Sequence, residues 1–274
     1  LTDALKSAGC SEFLDFIQSD ADVWALYSSG RVQTIYAPAD TSFNLSAAAL
    51  RRRDLTPAEQ QAADLAADTK QTNMSKLRLI PGTVISTSDK TANLDGDPQV
   101  VVSDSRSTDG SVTIASGQGN RVNIIKSDLS FSGGLIHVTD GLFTTPQLLS
   151  KTARATGKTS QFSSLLTRGQ ANASSLDNTP RITVFIPSDS AFAATGGFGT
   201  AAKEVLDGHV VVSRGAAQKV GYLPNLKSGQ VLTTSGGGTL DVKVQGGDYF
   251  IGGAKIERAN LILPNGVAHI VSKV

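Results

Sequence analysis

The sequence predicts an α+β fold, built twice in tandem. Three observations carry that reading. Each half opens with segments of helical period and closes with short β-branched strands. A ten-residue stretch, Thr34-Ile-Tyr-Ala-Pro-Ala-Asp-Thr-Ser-Phe43, returns as Thr183-Val-Phe-Ile-Pro-Ser-Asp-Ser-Ala-Phe192. A later stretch, Ser132-Gly-Gly-Leu-Ile-His-Val-Thr139, returns as Pro264-Asn-Gly-Val-Ala-His-Ile-Val271. Two motifs in the same order, twice, mark a duplicated unit of about 130 residues, a domain size and too long for a solenoid repeat. The expected domains are residues 1–142 and 143–274.

In the first half, residues 1–30 read as helical. Ser11 is placed to cap a segment whose Phe13, Leu14, Phe16 and Ile17 form an apolar stripe. Trp24 and Leu26 continue it until Ser28-Ser29-Gly30 breaks it; Trp24 reads as core packing, with a sugar platform as the alternative. Thr34 to Ala37 is an apolar strand, and Pro38 ends its ladder because proline has no N–H to donate. Asp40 is placed to cap the free amides of the turn that follows. Phe43 then returns to the core. Thr56-Pro-Ala-Glu59 opens an outer helix running to about Lys70. Leu79 to Ile85, Val100 to Val102, Val112 to Ile114 and Val122 to Ile125 are short strands separated by turn residues. Leu135 to Val138 closes the unit.

The second half repeats the plan. Thr145-Pro146 reads as a cap and proline opening a helix that ends at Gly157, with the next running from Thr159 or Ser160 to Gly169. Pro187, Asp189 and Phe192 repeat the roles of Pro38, Asp40 and Phe43. Ala201 to Leu206 reads as helical, with Gly208 ending it. Val231 to Thr233 and Thr239 to Val244 flank a three-glycine turn; Asp248 to Ile251 and Ala254 to Arg258 flank Gly252-Gly253. Both read as hairpins.

Composition narrows the function classes. Hydrophobic residues make up 39% and charged residues 18%, which marks a globular chain. The 25 basic and 24 acidic residues nearly cancel. Arg51-Arg52-Arg53 is the one basic run and reads as a solvated helix face, so nucleic acid is not an expected partner. No apolar run approaches the ~18 residues of a membrane helix. With no leader at Leu1 the chain is expected to be a mature form, and any lipid-anchor signal is expected beyond Val274. Cys10 is the one cysteine, which rules out an internal disulfide. It reads as a small buried residue of the first helix. Asn44, Asn73 and Asn172 each open an N-glycosylation triplet and are expected to be solvent-exposed.

Chemistry-bearing patterns are missing. The sequence has no Gly-x-Ser-x-Gly elbow, His-Glu-x-x-His or Cys-x-x-Cys, so no catalytic, cofactor or metal residues are expected. Gly197-Phe-Gly-Thr-Ala-Ala202 fits a loose dinucleotide fingerprint but lacks the preceding strand and the later acid. Ser42, Ser188 and Ser190 have no histidine near them in sequence. Asp40 and Asp189 read as turn caps, not catalytic acids. His137 and His269 hold matching places, which suggests a hydrogen bond from a closing strand to a loop. His209 reads as half-buried and bonded to a backbone carbonyl.

The paired motifs resemble the fasciclin domain. An apolar strand enters Pro-x-Asp-x-x-Phe, and a late Asn-Gly-x-x-His strand closes the unit. A middle segment, Leu206-Asp-Gly-His209-Val-Val-Val212, completes the second copy; in the first, Gly82 of Leu79 to Ile85 is read opposite His209. The resemblance implies two tandem domains, each a β-sheet wedge flanked by helices. It implies a secreted or cell-surface, non-enzymatic protein that binds extracellular proteins or matrix polysaccharides without a cofactor. In animal members an Asp-Ile pair before the closing strand is implicated in integrin binding. The matching pairs are Asp128-Leu129, the candidate adhesion contact, and Asn260-Leu261, which has lost the acid. Two rivals stand beside this reading. A polysaccharide-acting enzyme would need titratable groups converging in a cleft. A lectin-like module would need exposed aromatics, and only 5% of the chain is aromatic.

Overall fold

The computed structural model describes residues 1–43, 82–87, 92–104, 111–168, 173–196, 202–214 and 219–274. Arg51 to Arg53, the helix expected from Thr56, the glycosylation asparagines Asn44, Asn73 and Asn172 and most of the Gly197 fingerprint lie outside the described residues. The chain forms two compact units. Unit 1 comprises Leu1–Lys90, Pro98–Ser116 and Asn120–Thr145; unit 2 comprises Thr91–Asp97, Gly117–Gly119 and Pro146–Val274.

Unit 1 opens with three short helices, α1 (Thr2–Ala8), α2 (Ser11–Gln18) and α3 (Ala21–Ser28). Gly9 takes φ 82 after α1, a left-handed position that glycine adopts without strain. Ser11 is already inside α2, whose N-cap is Cys10 with no side-chain bond. Asp20 caps α3, accepting from the amides of Asp22 and Val23. The strands are β1 (Thr34–Pro38), β2 (Val84–Ser86), β3 (Val100–Asp104), β4 (Thr113–Ala115), β5 (Arg121–Phe131) and β6 (Gly134–Thr139). They form one sheet in the order β1-β6-β5-β4-β3-β2. Phe13, Leu14, Ile17, Ile35 and Ile136 are fully buried in its main core, and Trp24 packs at the margin of that core.

Unit 2 opens with α4 (Leu149–Ala155), α5 (Ser160–Arg168) and α6 (Ala173–Asn178). β7 (Ile182–Pro187), α7 (Asp189–Thr195), α8 (Ala202–His209) and β8 (Val210–Val212) follow. A 3-10 turn (Leu223–Asn225) leads to β9 (Val231–Thr233), β10 (Thr239–Gln245), β11 (Asp248–Ile251), β12 (Ala254–Leu263) and β13 (Gly266–Val271). The sheet order is β8-β7-β13-β12-β11-β10-β9. Both expected hairpins form, β9 with β10 and β11 with β12. β7 is buried along its whole length and divides two cores. Ile182, Val184 and Ile186 face Phe162, Leu165 and Phe192 of the helices. Phe185 faces Leu223, Leu226, Val242 and Ile251 on the other side. Such two-sided burial explains why the strand reads as a continuous apolar run. Burying one phenylalanine such as Phe162 contributes about 1.5–3 kcal/mol.

The helix boundaries differ from expectation in three places. α4 begins at Leu149, not Thr145, because its first turn is capped from afar: Asp177 accepts from the amide and hydroxyl of Ser150. α8 runs through Gly208 to His209, since a helical glycine costs only about 1 kcal/mol and Leu206 is held in the core. α6 carried no expectation; it is a six-residue helix with little periodicity.

Strand pairing is less local than the sequence suggests. In unit 1, β1 runs parallel to β6, with Tyr36 opposite His137. In unit 2, β7 runs parallel to β13, with Phe185 opposite His269. These parallel pairs join each duplicated strand to the closing strand of its own unit. They also explain Gly134 and Gly266. A Cβ on Gly134 would sit 1.8 Å from the Gln33 carbonyl oxygen, and one on Gly266 would sit 1.9 Å from that of Ile182. The glycines are therefore required by close backbone approach.

Candidate functional site

Two constellations recur in both units. The first gathers around the duplicated aspartate. Asp189 accepts three hydrogen bonds from the first turn of α5: Gln161 N–H at 2.8 Å, Ser160 hydroxyl at 2.9 Å and Ser160 N–H at 3.2 Å. Its own amide donates to the Lys158 carbonyl. Asp40 repeats the arrangement, accepting from Glu12 N–H in α2 at 2.8 Å and donating its amide to Gly9. Both aspartates thus cap an earlier helix, α2 or α5, with a further helix between it and their strand, and not the turn that follows. Ser188 caps the following helix α7 instead, accepting from Ala191 N–H. The reason is positional: Ser188 has the extended backbone of an N-cap, whereas Asp189 is already the first helical residue. Burial raises the Asp189 carboxyl, but the Gln161 and Ser160 donors together hold it below the ordinary carboxylate value.

The second constellation is a histidine and a bulge. β5 carries register shifts against β6, and β12 carries them against β13. Asp128 sits at φ 59 in the first bulge and Asn260 at φ 59 in the second. Asp and Asn are among the few residues that tolerate this left-handed backbone. Asp128 N–H donates to His137 Nδ1 at 3.2 Å, and Asn260 N–H donates to His269 Nδ1 at 3.3 Å. A nitrogen that accepts an amide proton is unprotonated, so His269 carries its proton on Nε2, which meets the Gly221 carbonyl at 2.8 Å. The expected bond from the closing strand to a loop is present here.

Unit 2 fastens that loop with two further side chains. Thr183 Oγ1 accepts Gly221 N–H, and Asn260 Oδ1 accepts Leu223 N–H. Sequence reasoning missed both. A signal existed for Asn260: an Asx residue stands nine positions before the histidine in each copy. In unit 1, Tyr36 takes the place of Phe185, and burial and the Asp128 charge push its hydroxyl pKa up.

The remaining site residues fall as follows. Asp128 is half-buried and Leu129 packs against the unit 1 core, so the pair is a bulge element, not a freely projecting loop. His209 ends α8, with Nδ1 2.6 Å from the Val205 carbonyl oxygen. Burial lowers its pKa, against the opposing effect of that bond. Gly82 is not its counterpart. Gly82 N–H bonds the Ser103 carbonyl at the start of β2, as Gly229 N–H bonds the Val242 carbonyl near the start of β9. Gly82 therefore matches Gly229, and both have positive φ. The short apolar runs around each glycine had suggested the wrong register. Cys10 is buried as expected, but at the cap of α2, with its thiol donating to the Ala37 carbonyl. Burial, with Asp40, pushes that thiol up to about 11 against Lys126. Among the described residues no group of three His, Cys, Asp or Glu side chains could hold a metal ion, and no helix is long and apolar enough to cross a membrane.

Residues 157–274 match the family model of the fasciclin domain. The fasciclin match lies within unit 2 and spans the Asp189 cap, the Asn260 bulge and His269. A fasciclin-like arabinogalactan protein of Cercospora beticola is 30% identical over 168 residues, covering 58% of this chain and 42% of the relative. One from Arthroderma benhamiae is 33% identical over 168 residues, covering 61% of this chain and 39% of the relative. Another, from Phaeosphaeria nodorum, is 30% identical over 173 residues, covering 61% and 53%. The chain thus spans about half the length, or less, of these relatives. A solved FAS1 domain pair from the insect cell adhesion molecule fasciclin I aligns over 97% of each chain, at TM-score 0.45 and 17% identity.

Proposed function

We propose that this chain is a non-enzymatic, extracellular or cell-surface binding protein that acts through protein or glycan contacts. The observation that carries the reading is the fasciclin match over residues 157–274, supported by three relatives named as fasciclin-like arabinogalactan proteins. Unit 1 is read as a second, diverged fasciclin domain, giving domains at 1–142 and 143–274. Its support is the pair of constellations that recur in both units, with Asp40 matching Asp189, Asp128 matching Asn260 and His137 matching His269. The recurrent residues all have fold-level work: Asp40 and Asp189 cap helices, His137 and His269 fasten bulges, and Gly134 and Gly266 allow close backbone approach. Asp128 is the proposed adhesion contact of unit 1, because it supplies a carboxylate where unit 2 has the amide of Asn260. The test is to secrete the full chain from a eukaryotic host and measure binding to immobilised arabinogalactan and to receptor-bearing cells, beside Asp128→Asn. Saturable binding by the wild type supports the reading; failure to bind either surface would sink it.

A further inference from the structure

The charge of the chain nearly cancels overall but is split between its halves. Residues 1–142 hold 17 acidic and 12 basic side chains, and residues 143–274 hold 7 acidic and 13 basic. Part of the basic excess is answered: Arg181 pairs with Asp95 and Asp97, Lys203 with Asp207 and Lys255 with Asp248. One stretch is different. Between Asp140 and Asp177 stand Lys151, Arg154, Lys158 and Arg168, and no acid. Lys151 and Arg154 lie three residues apart on α4, and Lys158 follows in the turn to α5; all three are exposed. Among the described residues no ion pair answers any of them. The acids of the neighbouring caps are engaged, Asp177 with Ser150, and Asp189 with Ser160 and Gln161. Surface helices ordinarily mix signs, because like charges three or four residues apart repel. Helix α1, which opens unit 1 as α4 opens unit 2, does so with Asp3 and Lys6.

The geometry limits what such a face can hold. The apolar side of α4, Leu149 and Ala153, is buried in the helical core, and the exposed Leu148 is too little apolar surface to enter a membrane. Exposed cations spread along an axis suit instead an extended chain of repeated negative charge. Lys151 and Arg154 advance about 4.5 Å along the helix, comparable to one sugar ring. We propose that Lys151, Arg154 and Lys158 form a docking stripe for an acidic polysaccharide, meeting its uronate carboxylates through exposed, charge-assisted hydrogen bonds. The stripe rests on the glycan-contact reading above, and it names the face of unit 2 and the class of glycan.

The test measures binding of the full chain to immobilised polygalacturonate by interferometry, beside neutral dextran, polyglutamate and arabinogalactan. The chain should bind polygalacturonate, ignore dextran, and lose affinity as salt rises through screening of exposed charge. The triple variant Lys151→Gln, Arg154→Gln, Lys158→Gln should weaken binding about tenfold, with Tm held within about 2 °C. A control that removes the same charge elsewhere, Lys219→Gln, Lys243→Gln, Lys273→Gln, should keep the wild-type affinity, since these lysines are exposed but lie off the stripe. Should the triple variant lose its fold, the single Lys151→Glu should weaken binding with the fold kept. Equal weakening by the control would overturn the stripe in favour of the general charge of unit 2. Equal affinity for dextran would overturn the acidic-glycan assignment, and equal affinity for polyglutamate would overturn it in favour of an acidic peptide. Arabinogalactan separates the two levels. Binding to it without binding to polygalacturonate overturns the stripe alone, and loss of both overturns the glycan reading as well.

Discussion

Replacing Asp189 by alanine removes the acceptor for three donors of the first turn of α5. Loss of an ordinary N-cap costs about 0.5–2 kcal/mol. Asp189 should fall in the upper part of that range, about 1–2 kcal/mol, because it satisfies two backbone amides and a hydroxyl at once. Solvent at the half-exposed carboxylate keeps the figure from rising further. At roughly 2–4 °C per kcal/mol, Tm should drop by about 2–8 °C. Asp40→Ala should cost less, about 0.5–1 kcal/mol, since one N–H bond to its carboxylate is formed there. The effect has a pH signature with a defined sign. The native carboxyl of Asp189 is held below its ordinary value, so the unfolded chain binds the proton first as pH falls. Its stabilisation is therefore complete above the ordinary carboxylate value and is lost as pH falls through the folded one. Urea unfolding of wild type and Asp189→Ala at neutral pH and at about pH 3 checks this. The gap should narrow in acid. An equal gap at both pH values, or no gap at neutral pH, would refute the capping argument.

Gly266→Ala should be among the most damaging substitutions, above about 4 kcal/mol, because its Cβ would overlap the Ile182 carbonyl; expression with a folded far-UV spectrum and unchanged Tm would contradict this. Asp128→Ala should cost about 1–2 kcal/mol through its left-handed backbone, more than an ordinary surface change, whereas Asp128→Asn should stay within about 0.5 kcal/mol; thermal melts of the two separate backbone strain from charge. Burial depresses the His209 pKa, so the unfolded chain protonates first and stability should fall as pH drops below about 6.5; His209→Gln should flatten that limb of the stability–pH curve.

Much of the fold was legible because its signals are local. Pro38 and Pro187 end strands, Gly236 to Gly238 turn a hairpin, and Phe43 and Phe192 reach the core. The missed features depend on residues far apart in sequence. Asp40 and Asp189 read as caps of the turn that follows them, but they cap a helix almost thirty residues upstream, which nothing in the local pattern shows returning to them. The parallel β1–β6 and β7–β13 pairs were hidden for the same reason, and the glycines of the closing turns had looked like turn residues alone. Gly82 falls opposite His209 by residue type alone, because short β-branched runs carry little register information; the ladder hydrogen bond matches it to Gly229 instead. At the candidate site, the Asp128 and Asn260 positions were readable by resemblance, while the Gly221–Leu223 loop fastened above His269 has no sequence signature.

The proposed function is binding of an extracellular partner that is left chemically unchanged. The most direct measurement incubates the secreted full chain with arabinogalactan, following binding by interferometry and the polymer by mass spectrometry. Saturable binding with an unaltered polymer is the expected result. Release of shortened or de-esterified polymer, abolished by a single substitution that leaves Tm unchanged, would contradict it.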